Sequence, residues 1–161
     1  MKILSKQKNS RMCMICGLDN EYGVNAPFYN MEDGSVMTVF RYKEQHQSYP
    51  GRVHGGMITA MLDEMGLRSL WAKELSEETF GVTISLDTKY RKPVPYETEL
   101  IGRGVVVKNT SHFIITDSYI MDKDGEILAN GRIKYIKMDT QKIQEGVEVH
   151  EEMPYLVEDG R

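Results

Sequence analysis

From Gly55 to about Leu75 the sequence runs GGMITAMLDEMGLRSLWAKEL, and its apolar residues return at the helical interval: Met57, Ile58, Met61, Leu62 and Met65, continued by Leu70 and Trp71. Between Met57 and Leu62 only Thr59 is polar, so the first half of this helix is apolar nearly all round. A cylinder of that kind persists only where other structure wraps it. Gly66 inside it costs roughly 1 kcal/mol relative to alanine, which points to a close approach or a bend at that level. Lys73, Glu74, Ser76, Glu77 and Glu78 mark the return to solvent.

The wrapping material follows at once. Val82, Ile84 and Leu86 alternate with Thr83, Ser85 and Asp87, which predicts a half-buried strand running to Tyr90 and stopping before Pro93 and Pro95. A second strand is expected from about Thr98 to Lys108, and a third from about His112 to Met121 with Phe113, Ile115 and Tyr119 on one face. Asp122 to Gly125 makes a hairpin loop. In the fourth strand Ile127, Ala129, Gly131, Ile133 and Tyr135 alternate with Asn130, Arg132 and Lys134, and Gly34 to Tyr42 gives a fifth ahead of the helix. Strands linked by hairpins pair antiparallel. The class is therefore α+β, a long central helix wrapped by a curved antiparallel sheet of about five strands.

At 161 residues the chain has room for one such domain. Residues 139–161 hold seven acids against Lys142 and Arg161, whereas residues 1–138 hold eighteen basic and seventeen acidic groups. The expected division is a covering segment over 1–33, the main domain over 34–138 and an acidic tail over 139–161. A formal charge of -4 argues against nucleic acid as a partner. The sequence has no apolar run of membrane-spanning length, and residues 1–11 are basic and polar, without the apolar stretch of a secretion signal. Cys13 and Cys16 are too few for a disulfide framework, so a reduced, cytoplasmic protein is expected. Zinc wants four ligands, and beyond this one Cys-x-x-Cys the donors would have to come from His46, His54, His112 or His150. No metal site is expected.

The chemistry concentrates where Tyr49-Pro50-Gly51-Arg52-Val53-His54-Gly55-Gly56 enters the helix. Paired glycines there cost backbone entropy, but they let a substrate carbonyl approach N–H groups that carry the positive end of the helix dipole. That is the material of an oxyanion hole. Further along, Glu64 has an i,i+4 partner in Arg68, whereas Asp63 faces Thr59, Ala60 and Leu67 at helical spacing and has no local partner. An unpartnered carboxylate on an apolar helix is a functional candidate. Eight residues separate Gly55 from Asp63, about 12 Å along the axis. One carbonyl cannot be gripped by the first and attacked through the second within a single helix. If both act together they come from two chains, which predicts a homodimer with shared sites.

His54-Gly55-Gly56-x6-Asp63, followed by Thr83-x2-Leu86-x3-Tyr90-x-Lys92-Pro93, resembles the hot-dog-fold acyl-CoA thioesterases of the phenylacetate-pathway (PaaI-like) group, with a likeness extending over roughly residues 13–138. The resemblance implies the hot-dog fold and hydrolysis of a small or medium acyl-CoA to free acid and coenzyme A. It needs no cofactor beyond the coenzyme A of the substrate itself. By the same resemblance Gly55 N–H binds the thioester oxygen, Asp63 is nucleophile or general base, and Thr83 helps place the attacking water. His54 orients the loop or the thioester. Substrate contacts are expected from Gly56, from Gln47 ahead of the histidine, and from Tyr90, Arg91 and Lys92 at the strand end, where the two cations face coenzyme A phosphates. Assembly as a homodimer or a dimer of dimers (a homotetramer) is implied too. Thr83 has the opposite parity to Val82, Ile84 and Leu86, so regular alternation would point it away from their face. A Cys-x-x-Cys-Gly segment also occurs in some members of the group, implying two reduced cysteines in a covering segment. The alternative from another class is a non-catalytic acyl-CoA-binding or sensing module on the same fold.

Overall fold

The computed structural model describes residues 1–76, 79–143, 145 and 156–157. In chain order the elements are β1 (Ile3–Lys6), β2 (Asn9–Ser10), β3 (Tyr29–Met31), β4 (Val36–Phe40), β5 (Gln47–Tyr49), β6 (Arg52–Val53), α1 (Gly55–Glu74), β7 (Phe80–Tyr90), β8 (Leu100–Asn109), β9 (Phe113–Met121), β10 (Ile127–Met138), α2 (Thr140–Ile143) and β11 (Leu156–Val157). Seven of the strands form one antiparallel sheet in the order β1-β3-β4-β8-β9-β10-β7. Five were expected. The additional two, β1 and β3, come from residues 1–33, a stretch that also buries Ile15, Cys16, Val24, Ala26 and Phe28 in the core. Most of the acidic tail expected over 139–161, with Glu77 and Glu78, lies outside the described residues.

Helix α1 begins where the His54 ring caps it, Nδ1 accepting the Gly56 N–H at 2.9 Å. It ends as Leu75 turns into the left-handed region at φ 51°. Between these points Met61, Leu62, Met65 and Leu70 are fully buried against the sheet. The close approach expected at Gly66 is real: a Cβ there would collide with the hydroxyls of Tyr135 and Thr116. Gly104 plays the same part from the sheet side, where a Cβ would stand 2.5 Å from the Met65 carbonyl oxygen.

That tight seam explains which strand faces turn inward. In β9 the buried positions are Ile114, Thr116, Ser118 and Ile120, so Phe113, Ile115 and Tyr119 occupy the outer, half-exposed face. Thr116 of β9 meets Gly66 of the helix and Ser118 pairs with Gly104 of β8, so these two strands offer small or polar residues at the tight seam. In β10 Ala129, Gly131, Ile133 and Tyr135 of the expected face are buried, but Ile127 is exposed and Leu128 is buried in its place, where the register with β9 shifts between Ile127 and Ala129.

β7 departs from simple alternation. Opposite β10, Ser85 pairs with Lys134 and Thr83 with Tyr135, which leaves Ile84 as an extra, unpaired residue, a β-bulge. On one side of it Gly81 and Thr83 face α1; on the other Leu86, Thr88 and Tyr90 do. Val82 and Ile84 are exposed at 41% and 48%, so they are not the half-buried face that their alternation suggests. β7 is also a sheet edge, paired with β10 on one side and, among the described residues, with no strand on the other.

Candidate active site

Two of the clefts along β7 hold residues expected from the sequence. The first, about 300 Å³, is lined by Ala60, Asp63, Glu64 and Leu67 of α1, Gly81 and Thr83 of β7, and Ile15 and Tyr135. Asp63 is half-buried, and the Thr83 hydroxyl donates to both of its carboxylate oxygens, at 2.9 Å and 3.1 Å. The partner that Asp63 lacks within its helix is thus supplied by the strand, and the bulge at Ile84 is what turns Thr83 toward it. Burial raises the Asp63 carboxyl above its ordinary range, the Thr83 hydrogen bonds draw it back, and neighbouring Glu64 adds to the rise. Tyr135 donates its hydroxyl to the Asp63 main-chain carbonyl at 2.6 Å and so fixes this turn of the helix.

The second cleft, about 370 Å³, lies at the helix start, between Ser48, Tyr49, Arg52 and Val53 on one side and Tyr90, Arg91, Lys92 and Pro93 on the other, with Gly55 and Ile58 at its floor. Of the first-turn donors of α1, Gly56 N–H is taken by His54 Nδ1 and Met57 N–H by the His54 carbonyl. Gly55 N–H meets no acceptor among the described residues. The Tyr90 ring packs over Gly55, where a Cβ would lie 3.4 Å from the phenol oxygen. Its hydroxyl donates to the Gly55 carbonyl at 3.0 Å and shares a 2.6 Å hydrogen bond with Thr59.

The other expected residues fall as follows. His54 is the helix cap, which occupies the Gly56 N–H and leaves Gly55 as the available donor. Gln47 is exposed on the β5–β6 ribbon, paired with Val53. Arg91 donates from Nε to Asn130 at 2.6 Å, and Lys92 pairs with Glu126. Arg52 on the opposite wall was not singled out from sequence; only its place two residues before the cap hinted at it. His46, considered as a zinc donor, is buried for a structural reason: its Nδ1 accepts the Lys43 N–H, and Nε2 lies 2.7 Å from the Tyr22 carbonyl.

Gly55 and Asp63 therefore occupy separate clefts of one chain, Gly55 with Tyr90 and Asp63 with Thr83, and the two strand residues are roughly 20 Å apart.

Residues 50–129, which include α1 and β7, match the family model of the thioesterase superfamily. The acyl-coenzyme A thioesterase THEM4 of Rattus norvegicus is 25% identical over 140 residues, covering 86% of this chain and 57% of that protein. The chain spans about half the length of the first curated relatives it matches. A crystal structure described as a thioesterase superfamily protein superposes with a TM-score of 0.69 at 26% identity, over 78% of this chain and 63% of the other. A hypothetical thioesterase of Streptococcus pneumoniae, solved with coenzyme A, superposes with a TM-score of 0.60 at 20% identity, over 71% of this chain and 87% of its own. No helix among the described residues is long and apolar enough to cross a membrane. The helix seated on its antiparallel sheet and the matching segment agree: this chain carries a thioesterase-superfamily domain of the hot-dog fold.

Proposed function

We propose that the chain is an acyl-CoA thioesterase of the phenylacetate-pathway (PaaI-like) kind, hydrolysing a small or medium acyl-CoA to the free acid and coenzyme A. The observation that carries this reading is the Asp63 carboxylate, set in a cleft and held through both oxygens by Thr83 Oγ1. Asp63 attacks the thioester carbonyl or takes the proton of the attacking water. The developing oxyanion is received by Gly55 N–H at the positive end of α1. Arg52, Arg91 and Lys92 line the helix-start cleft and suit the phosphates of coenzyme A. The names of the rat relative and the coenzyme A in the streptococcal structure support the same substrate class. Free Cys13 and Cys16 suit a reducing, cytoplasmic setting.

Gly55 and Asp63 of one helix are about 12 Å apart, too far to act on one carbonyl. The reading therefore includes a homodimer formed through the free edge of β7. Antiparallel pairing there brings the Gly55 end of one chain to the Asp63 end of the other.

The test is free-thiol release from a panel of acetyl-, hexanoyl-, palmitoyl-, phenylacetyl- and benzoyl-CoA, comparing wild type with Asp63→Asn. The expected result is turnover by wild type that falls ~10²–10⁴-fold in the variant, with the melting temperature preserved. Undiminished turnover in Asp63→Asn removes the assigned chemistry. Tight acyl-CoA binding without turnover moves the chain to the binding-module class.

A further inference from the structure

Beside the Asp63 cleft, Cys13, Cys16 and Glu64 bring two sulfur atoms and a carboxylate oxygen within 4.8 Å of one another. Residues 13–17 form a tight turn closed by the Gly17 N–H on the Cys13 carbonyl at 2.9 Å. A Cβ at Gly17 would collide with that carbonyl, so the turn depends on glycine. Within the turn the N–H groups of Ile15 and Cys16 point at Cys13 Sγ, at 3.3 Å and 3.5 Å. Two main-chain donors aimed at one sulfur stabilise it as a thiolate, the form that binds metal.

The third donor comes from another element. Glu64 on α1 accepts from Arg68 Nε on Oε1 at 2.7 Å and turns Oε2 toward Cys13 Sγ at 3.8 Å. Around a tetrahedral zinc, with Zn–S near 2.3 Å and Zn–O about 2.0–2.2 Å, such a pair of donors stands roughly 3.5 Å apart. Arg68 is 1% exposed, donates to Glu64 Oε1 and faces this cluster, so it offsets part of the negative charge that the ligands would carry around a bound cation.

We propose that Cys13, Cys16 and Glu64 bind a thiophilic divalent cation of the zinc class, with water in the fourth position. Two sulfur ligands favour zinc over magnesium or calcium, which take oxygen. The ion would fasten the 13–17 turn to α1 at the residue adjacent to Asp63, and so brace the cleft wall that Ile15 and Glu64 share.

The experiment uses the full chain, reduced and stripped with a chelator, then titrated with zinc against a chromophoric competitor and separately with cobalt(II). One equivalent should bind per chain, cobalt should develop a near-ultraviolet thiolate-to-metal charge-transfer band, and zinc should raise the melting temperature. Cys13→Ser and Cys16→Ser should each weaken binding by more than the roughly 10–100-fold typical of losing an outer-shell partner. Glu64→Gln should weaken it while leaving the sulfur band. The proposal is overturned if reduced wild type binds no more zinc than the folded Cys13→Ser/Cys16→Ser double variant, or if cobalt binds without the sulfur band. It is equally overturned if the chain as isolated, without added oxidant, carries a Cys13–Cys16 disulfide and does not take up metal after reduction.

Discussion

The Thr83 hydroxyl hydrogen-bonds both oxygens of the Asp63 carboxylate, and it can do so only because Ile84 is inserted as a bulge in the edge strand. A hydrogen bond to a charged group is worth about 1.5–3 kcal/mol, or roughly 10–100-fold in a rate that depends on it. Thr83→Val keeps the shape and removes the donor, so kcat for acyl-CoA hydrolysis should fall by that factor with little change in melting temperature. Thr83→Ser restores the hydroxyl and should recover most of the rate. Equal rates for Val and Ser would show that the hydroxyl does not serve Asp63.

Gly55→Pro probes the helix-start donor with little structural cost. Proline lacks the N–H and is well tolerated at the first helical position. His54 before it has φ -62° and ψ 135°, the extended conformation a following proline requires. If Gly55 N–H receives the oxyanion, kcat should drop by ~10²–10³ while the fold is kept. A proline variant as fast as wild type would assign the oxyanion to another donor.

Shared sites have their own signature. Mixing unfolded Asp63→Asn and Gly55→Pro chains and refolding them together should return about a quarter of wild-type activity, since half the dimers are mixed and each restores one of its two sites. Sites built within one chain would return none. Light scattering during size-exclusion chromatography fixes the oligomer in the same samples.

The contrast between what sequence did and did not disclose follows from range. Helix α1, the Glu64–Arg68 pair and the buried face of β10 rest on spacing within one element, and periodicity carries them. Asp63 was legible for the opposite reason, because nothing local satisfied it. The orientation of Thr83 was not legible. It depends on register between β7 and β10, and one extra residue reverses every side chain beyond it. Arg68 was legible only as the i,i+4 partner of Glu64, yet it is buried, packed against the Phe28 and Trp71 rings and hydrogen-bonded to Gln7 and the Lys8 carbonyl. Phe28, Gln7 and Lys8 lie far along the chain from Arg68, as Cys13 does from Glu64. Strands β1 and β3, of four and three residues, are too short for an alternating pattern to declare itself.

Gly66 and Tyr135 should be energetically coupled. In a helix interior, Gly→Ala alone gains about 1 kcal/mol. Here the new methyl meets the Tyr135 and Thr116 hydroxyls, and overpacking costs about 1–3 kcal/mol. It also disturbs the Tyr135 hydrogen bond to the Asp63 carbonyl. Gly66→Ala should therefore lower the melting temperature by several degrees, at roughly 2–4 °C per kcal/mol for a chain this size. In a Tyr135→Phe background the nearest obstacle is gone, and the same substitution should cost less by at least ~1 kcal/mol in a double-mutant cycle. Strict additivity would show that the methyl is accommodated elsewhere.

Single-residue deletions test the bulge directly. Removing Ile84, which is 48% exposed and unpaired, closes the β7–β10 ladder into regular register with Thr83 and Leu86 still on the α1 side. Little burial is lost, so the melting temperature should stay within a few degrees of wild type. Removing Asp87 from the regular stretch has the opposite result, because it turns Thr88 and Tyr90 outward. That deletion breaks the Thr59–Thr88 contact at 3.3 Å, the Thr59–Tyr90 bond at 2.6 Å and the Tyr90 hydrogen bond to the Gly55 carbonyl. Three hydrogen bonds at about 1 kcal/mol each, together with the packing of the Tyr90 ring on Gly55, imply a loss near 10 °C or more. If the Ile84 deletion were as damaging as the Asp87 deletion, the parity change along β7 would have to arise from something other than the bulge, and the orientation of Thr83 toward Asp63 would need a different cause.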